Sequence, residues 1–398
     1  MKILALTWEF PPRIVGGIAR HVAELYPEIV ALGHEVHLLT VEFGDAPAYE
    51  VVDGIHIYRL PVAPSNGFFD WVVKFNDAMG LYGGKLIKDA AENAEPFEVL
   101  HAHDWLVGDA AIALKRIFRI PLVATIHATE YGRNNGIRTE VQRYIHGKEN
   151  LLTFEAWRVI VCTEYMKGEV NRAFLCPEDK VDVIANGIRA EKKQLPDDFD
   201  RASFRRHFAY DHEKIVYYVG RMAYEKGVQV LVEAMPKVLW EYPATKFVII
   251  GGGNTSAYRR RVDELGVTKN VYFTGFMQDE DLDKFQTVAD CAVFPSLYEP
   301  FGIVVLESFA AGVPVVVSNS GGLPEVVTHT KTGIVTQVND PVSLAYGILE
   351  VVRYPDYAQW LRDNGRAQLE HRFLWPALAA ETMAVLDQVV TERKTVAW

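Results

Sequence analysis

The sequence predicts an α/β protein of two domains, each built on a parallel sheet. Three observations carry this. Short apolar runs alternate with longer amphipathic stretches, the rhythm of βα units. The runs are continuously apolar rather than alternating, as strands covered on both faces are. A charged stretch, residues 189–214 (RAEKKQLPDDFDRASFRRHFAYDHEK), divides two series of such runs, and a chain of 398 residues exceeds the usual reach of one core.

Taken in order, Ile3–Leu6 opens the first series as a strand. Ile18–Leu32 follows as a helix, with Gly33 placed to stop it. Val36–Val41, Val99–His101, Leu122–Ile126, Val159–Cys162 and Val181–Ile184 continue as strands. A linker is expected near 188–200. The second series runs through Ile215–Val219, Lys246–Ile250, Val271–Phe273, Cys291–Pro295, Val313–Ser318 and Gly333–Val335. The last stretch, 371–398, has an apolar periodic run through Leu378, Met383 and Leu386 that predicts a terminal helix. The expected domains are therefore 1–190 and 191–372, with 373–398 as the closing helix. No internal repeat or low-complexity tract interrupts the pattern.

Composition narrows the classes. Hydrophobic residues are 49% of the chain, which argues against disorder. Cys162, Cys176 and Cys291 are too few and too scattered for a disulfide scaffold or a C-x2-C metal knuckle. The formal net charge of −11 disfavours a nucleic-acid partner. No apolar run is long enough for a membrane span. The opening MKILALTWEFPP reads as a buried strand rather than a signal peptide. A cytoplasmic protein is expected.

The candidate chemistry lies where strands end. Gly16 and Gly17 precede the first helix, where glycine lets backbone approach a ligand and helix amides favour a phosphate or a sugar hydroxyl. The segment is neither a GxGxxG fingerprint nor a P-loop, and a ligand-free turn is the alternative. His101, His103 and Asp104 follow one strand, and His127 and Glu130 follow another. Hydroxyl binding or helix capping suits each, and no tight ligand spacing supports a metal. Arg221 and Lys226 flank a turn after Ile215–Val219, with Glu225 between them to orient a cation. Two cations at a strand end suit a diphosphate, although a solvated pair has the same sequence. Gly251–Gly253 marks another strand end. In SLYEPFGIVVLE, Glu299 sits in a loop and Glu307 one turn into the next helix. Carboxylates accept from vicinal hydroxyls, and a carboxylate pair also suits glycoside hydrolysis. Amides of Phe301, Gly302 and Ile303 would face the same ligand. Ser320–Glu325 adds a further glycine loop.

In this order and spacing the motifs resemble the family 4 glycosyltransferases, retaining enzymes of the GT-B architecture, over nearly the whole chain. EPFGIVVLE, Glu299 to Glu307, is similar to that family's E-x7-E signature. Arg221 with Lys226-Gly227 is similar to its diphosphate pair, and Asn186-Gly187 to its inter-domain segment. Trp8-Glu9-Phe10-Pro11, His103-Asp104-Trp105 and Thr125-Ile126-His127 most resemble bacterial and archaeal glycogen or starch synthases. Those carry a lysine in K-x-G-G-L, whereas here Arg13 stands at a shifted position before Gly16.

The resemblance implies two Rossmann-like domains facing across a cleft, with the last helix crossing back to the first domain. It implies hexose transfer, glucose above all, from an ADP- or UDP-sugar to a glucan. Arg221 and Lys226 would stabilise the leaving diphosphate, Glu307 the ribose, Glu299 the sugar hydroxyls and His127 the region of sugar C6. The donor is a substrate, and neither a cofactor nor a metal is expected. Other acceptors (a lipid, a small molecule, another polysaccharide), epimerase or hydrolase chemistry, and sugar binding without catalysis stand as alternatives. The aromatic residues near 131–157 suit either an acceptor platform or helix packing.

Overall fold

A computed structural model describes residues 1–189, 195 and 198–396. The chain forms two compact units, Met1–Gly187 with Trp375–Trp398, and Ile188–Leu374. Residues 190–194, 196 and 197 of the expected linker, including the expected boundary at 190/191, lie outside the described residues.

Unit 1 holds eight strands: β1 (Lys2–Leu6), β2 (Glu35–Val41), β3 (Tyr49–Val52), β4 (Ile55–Leu60), β5 (Val99–His103), β6 (Leu122–Ile126), β7 (Arg158–Val161) and β8 (Val181–Val183). Their order is β3-β4-β2-β1-β5-β6-β7-β8, parallel throughout except for the β3–β4 hairpin. β1 and β5 are buried along almost their whole length, which is why they read as unbroken apolar runs apart from the histidines of β5. The first helix, Gly17–Ala31, packs Val22, Leu25, Tyr26 and Ile29 into this core and stops before Gly33 at φ +89°. β3 and β4 add a hairpin that the apolar-run pattern does not predict.

The closing helix, Trp375–Thr395, belongs to unit 1 although it follows all of unit 2 in the chain. Trp375, Leu378, Met383, Leu386 and Val389 share one buried cluster with Val22, Leu25 and Ile29. Trp375 Nε1 donates to Glu24 at 2.8 Å, and Trp157 Nε1 donates to Glu392 at 2.7 Å.

Among its described residues, unit 2 holds six parallel strands: β9 (Lys214–Val219), β10 (Thr245–Ile250), β11 (Val271–Gly275), β12 (Cys291–Phe294), β13 (Val315–Ser318) and β14 (Ile334–Thr336). Their order is β11-β10-β9-β12-β13-β14. Of the charged stretch 189–214, the described part carries one short helix, Arg201–Arg205.

In both sheets the strand order reverses once, at β1/β5 and at β9/β12. Open α/β sheets bind ligands in the crevice beyond the carboxyl ends of the strands at such a reversal. No helix among the described residues is long and apolar enough to cross a membrane.

Candidate functional site

In unit 2 the reversal brings together two loops that are distant in sequence. The loop after β9 carries Arg221, Glu225 and Lys226, and the loop after β12 carries Ser296 and Glu299. Lys226 Nζ lies 2.7 Å from Glu299 Oε2, and Ser296 Oγ donates to the same oxygen at 3.3 Å. Arg221 is exposed, and its guanidinium reaches Glu225 at 3.2 Å. Glu225 also fastens the two loops, since its carbonyl accepts from the amides of Leu297 and Tyr298 at 2.7 and 3.2 Å.

Glycine permits this closeness. At Gly227, φ is +72° and a Cβ would stand 1.9 Å from the carbonyl oxygen of Pro295. At Gly321, in the loop after β13, φ is +58° and a Cβ would stand 2.0 Å from the Glu299 carbonyl oxygen. That oxygen accepts from Gly322 N at 2.9 Å, so the loops after β9, β12 and β13 converge on Glu299.

The helix Ile303–Ala310 begins just beyond, with Gly302 as its N-cap. The first amides of a helix have no intrahelical acceptors. The Phe301 side chain turns inward and packs edge-on against Phe373. Glu307 is 3% exposed on the second turn of this helix. The helix Val228–Glu241 directs its positive end toward Lys226 and Gly227. Two cations, helix amides and carboxylates at one reversal can hold a diphosphate and hydroxyl groups together.

In unit 1 the corresponding reversal is polar and buried. Gly16 caps the first helix, but its amide does not face open space. Glu9 Oε2 accepts from Val15 N at 2.6 Å and Gly16 N at 2.9 Å. Burial raises the Glu9 pKa, and the Val15, Gly16 and Ala19 amides oppose that shift. The Gly16 amide is thus engaged by a protein carboxylate in this structure. Gly17 is the first residue of the helix.

Asp104 does not cap the turn that follows it. Its Oδ1 accepts from the His127 amide at 2.8 Å, tying the end of β5 to the end of β6. Burial lifts the Asp104 carboxyl to about 7. His127 Nε2 lies 3.1 Å from His103 Nδ1. His103 Nε2 meets the Tyr26 hydroxyl at 2.6 Å, and His21 Nδ1 meets Asn186 Oδ1 at 2.7 Å. Burial pulls His127 and His103 well below the ordinary histidine range and His21 down to about 4.

The sequence candidates omit His21 and Tyr26 and reach Glu9 only through the resemblance of Trp8-Glu9-Phe10-Pro11. Their signal is the placement of His21 and Tyr26 on the buried face of the first helix, four and nine residues after Gly17. The absence of tight metal-ligand spacing also proves uninformative. Side chains of His21, His103 and His127 bring one ligand nitrogen each within 4.8 Å of the others, from three separate elements.

Aromatic rings line the same carboxyl edge. Arg13 lies over Trp8, Phe43 and Trp71 at 5.4, 5.7 and 5.8 Å. Phe68, half exposed, meets Trp71 and Trp105. Of the 131–157 aromatics, Tyr144 joins this group through Phe69, whereas Trp157 is tied down by Glu392.

Residues 199–368 match the family described as Glycosyl transferases group 1, and residues 15–192 match Glycosyltransferase Family 4. The chain is 39% identical to an uncharacterized glycosyltransferase, MJ1607, of Methanocaldococcus jannaschii, covering 97% of each. It is 34% identical to a glycogen synthase of Mycobacterium tuberculosis, covering 97% of this chain and 94% of that one. Among solved structures, the sucrose-phosphate synthase of Thermosynechococcus elongatus superposes with a TM-score of 0.83 at 25% identity, over 98% of this chain and 99% of that one.

Proposed function

The chain belongs to the family 4 glycosyltransferases of GT-B fold, and from that premise we propose that it transfers a hexose, glucose in our reading, from an ADP- or UDP-sugar to a glucan with retention at the anomeric carbon. The observation that carries the reading is the Lys226–Glu299 pair at the β9/β12 reversal. A diphosphate leaving group needs cations, and a sugar ring needs carboxylate acceptors; both are held here within one hydrogen bond of each other.

The roles follow from the donor chemistry. Arg221 and Lys226 bind the diphosphate and stabilise charge as it departs. Glu307 accepts from the ribose hydroxyls. Glu299 and the amides of Phe301, Gly302 and Ile303 hold the sugar hydroxyls. His127 contacts the sugar near C6. The acceptor oxygen attacks C1 on the face the phosphate leaves. The C1–phosphate oxygen bond breaks as the new C1–O bond forms, and the departing phosphate oxygen takes the acceptor's proton. No protein nucleophile is needed, and the two cations supply the charge that a metal would supply at the diphosphate.

A glucan acceptor is supported by the aromatic group around Arg13, since flat rings suit the apolar faces of sugars, and by the glycogen synthase relative. A second reading, a small phosphorylated acceptor, is favoured by Arg13 itself, whose buried Nε has no hydrogen-bond partner. The three cysteines are free, which suits a reducing compartment and supports a cytoplasmic setting.

The test is incubation with ADP- and UDP-hexoses separately, with and without a short glucan, reading nucleotide release and product mass. Growth of the glucan by one hexose is the expected result. Nucleotide release without growth overturns the glucan assignment in favour of another acceptor or hydrolysis. Silence with every donor overturns the donor assignment.

A further inference from the structure

Three imidazoles converge at the carboxyl edge of the unit 1 sheet. His21 comes from the first helix, His103 ends β5 and His127 follows β6. Ring centroids stand 4.7 Å apart for His21–His127, and 5.4 Å for both His21–His103 and His103–His127. His103 Nδ1 and His127 Nε2 lie 3.1 Å apart. A tetrahedral zinc ion binds imidazole nitrogen at about 2.0–2.1 Å, which sets ligand nitrogens roughly 3.3 Å apart.

A second observation points to an ion. His21 is 7% exposed, and its Nε2 is buried with no hydrogen-bond partner. Asn186 Oδ1 only accepts, so His21 Nδ1 carries the proton and Nε2 offers a lone pair. An unsatisfied buried acceptor is costly unless something fills the gap. The surrounding bonds orient the other rings. The Tyr26 hydroxyl lies 3.0 Å from His101 Nδ1 and 2.6 Å from His103 Nε2, and His101 Nε2 lies 2.8 Å from Thr125 Oγ1. If Tyr26 donates to His101, His103 Nε2 donates to Tyr26, and His103 Nδ1 is left as a lone pair. Metal-binding histidines are held this way by partners on their far nitrogens.

We propose that His21, His103 and His127 form a binding site for a zinc-class divalent cation, with three protein nitrogens and a fourth position open. All three histidines belong to the unit that does not carry Arg221 and Lys226. An ion there withdraws His127 Nε2 from a sugar and inhibits transfer, a consequence that rests on the role proposed for His127. The other His-containing group, Glu35, His37 and His56, lacks the second observation. His37 is engaged on both nitrogens, by Glu35 and by Tyr58, and Glu35 is paired with Lys2.

The test is titration of chelator-treated full-length protein with Co2+ in the absence of nucleotide, reading the ligand-field absorption of four-coordinate cobalt, then displacement by Zn2+. One equivalent is expected. Affinity should fall more than about 100-fold in His21→Ala and about 10-fold in Asn186→Ala, which keeps all three ligands but loses the orienting bond. His37→Ala should bind as the parent does. Thermal melts establish that each variant is folded, and Asn186→Ala carries the test if His21→Ala is not. Absence of the four-coordinate band, its persistence at parent affinity in the folded variants, or its loss in His37→Ala would overturn the site. None of these readings depends on transferase activity.

Discussion

Lys226 has three ammonium hydrogens, and in the structure Glu299 takes one of them. The remaining two are available to an incoming diphosphate. Lys226→Ala should lower kcat by about 100-fold to 1,000-fold, the usual cost of losing one charge-stabilising donor at a transition state. The fold should barely notice, because a part-exposed ion pair is worth about 1 kcal/mol or less. A parallel measurement of kcat and urea midpoint separates the two effects, and unchanged turnover would remove Lys226 from the mechanism. Glu149 makes a different residue-level prediction. It is 2% exposed, and burial lifts its carboxyl to about 9, although the Glu130 amide donates to both its oxygens. Well below the ordinary value of 4.5 both states are protonated and the acid costs nothing. As pH rises from there, the unfolded chain ionises while the folded chain stays protonated, so stability falls until about pH 9 and then levels off. Glu149→Gln keeps an acceptor for Glu130 and cannot ionise. Its melting temperature relative to the parent should rise steadily across that window, and a flat difference would mean that Glu149 is charged in the folded protein.

At the scale of elements, the site depends on loops that touch. Gly227→Ala would place a methyl 1.9 Å from the Pro295 carbonyl oxygen in a left-handed backbone. The loops after β9 and β12 must then separate, at a cost of about 1–3 kcal/mol in strain and with loss of the Lys226–Glu299 contact. Gly252→Ala, in the loop after β10, meets nothing within 4 Å and serves as the matched control. Activity and urea midpoint should both drop in the first variant and hold in the second. The sequence made these loops visible but not their meeting. Arg221, Lys226 and Glu299 each follow an apolar run that reads as a strand, so their place at strand ends was legible. That β9 lies beside β12, 72 residues from the end of one to the start of the other, was not, because strand order is settled by how crossover helices pack. The same reason hid the histidine cluster, whose members come from a helix and two strand ends. The β3–β4 hairpin was missed although its signal was present. Asp53-Gly54, both at positive φ, joins Tyr49–Val52 to Ile55–Leu60, and an Asp-Gly pair between two strands is the mark of a tight hairpin.

For the molecule as a whole, the order of the chain and the order of its cores differ. Unit 2 is inserted between Gly187 and Trp375, and the last helix completes unit 1. The apolar period through Leu378, Met383 and Leu386 made this helix legible, but the core it joins was legible only through the family resemblance, because periodicity states that a face is buried and not against what. Its buried Trp375, Leu378, Met383, Leu386 and Val389 each contribute about 1.5–3 kcal/mol. Together they match the whole net stability of a typical domain, about 5–15 kcal/mol. Unit 1 therefore cannot reach its final stability until the final residues of the chain are in place. Leu386→Ala in the full-length protein tests this. Leu386 is fully buried, and its truncation should cost about 2–5 kcal/mol. Hydrogen exchange locates the loss. Amides of β1, β2 and β5 should exchange faster in the variant, while those of β9, β10 and β12 keep their protection, since they lie in the other unit. Nucleotide affinity, which the proposed function assigns to the loops after β9 and β12, should stay at the parent value. Faster exchange in β9 and β12 instead would mean that the last helix stabilises the unit it follows in sequence rather than the one it packs on.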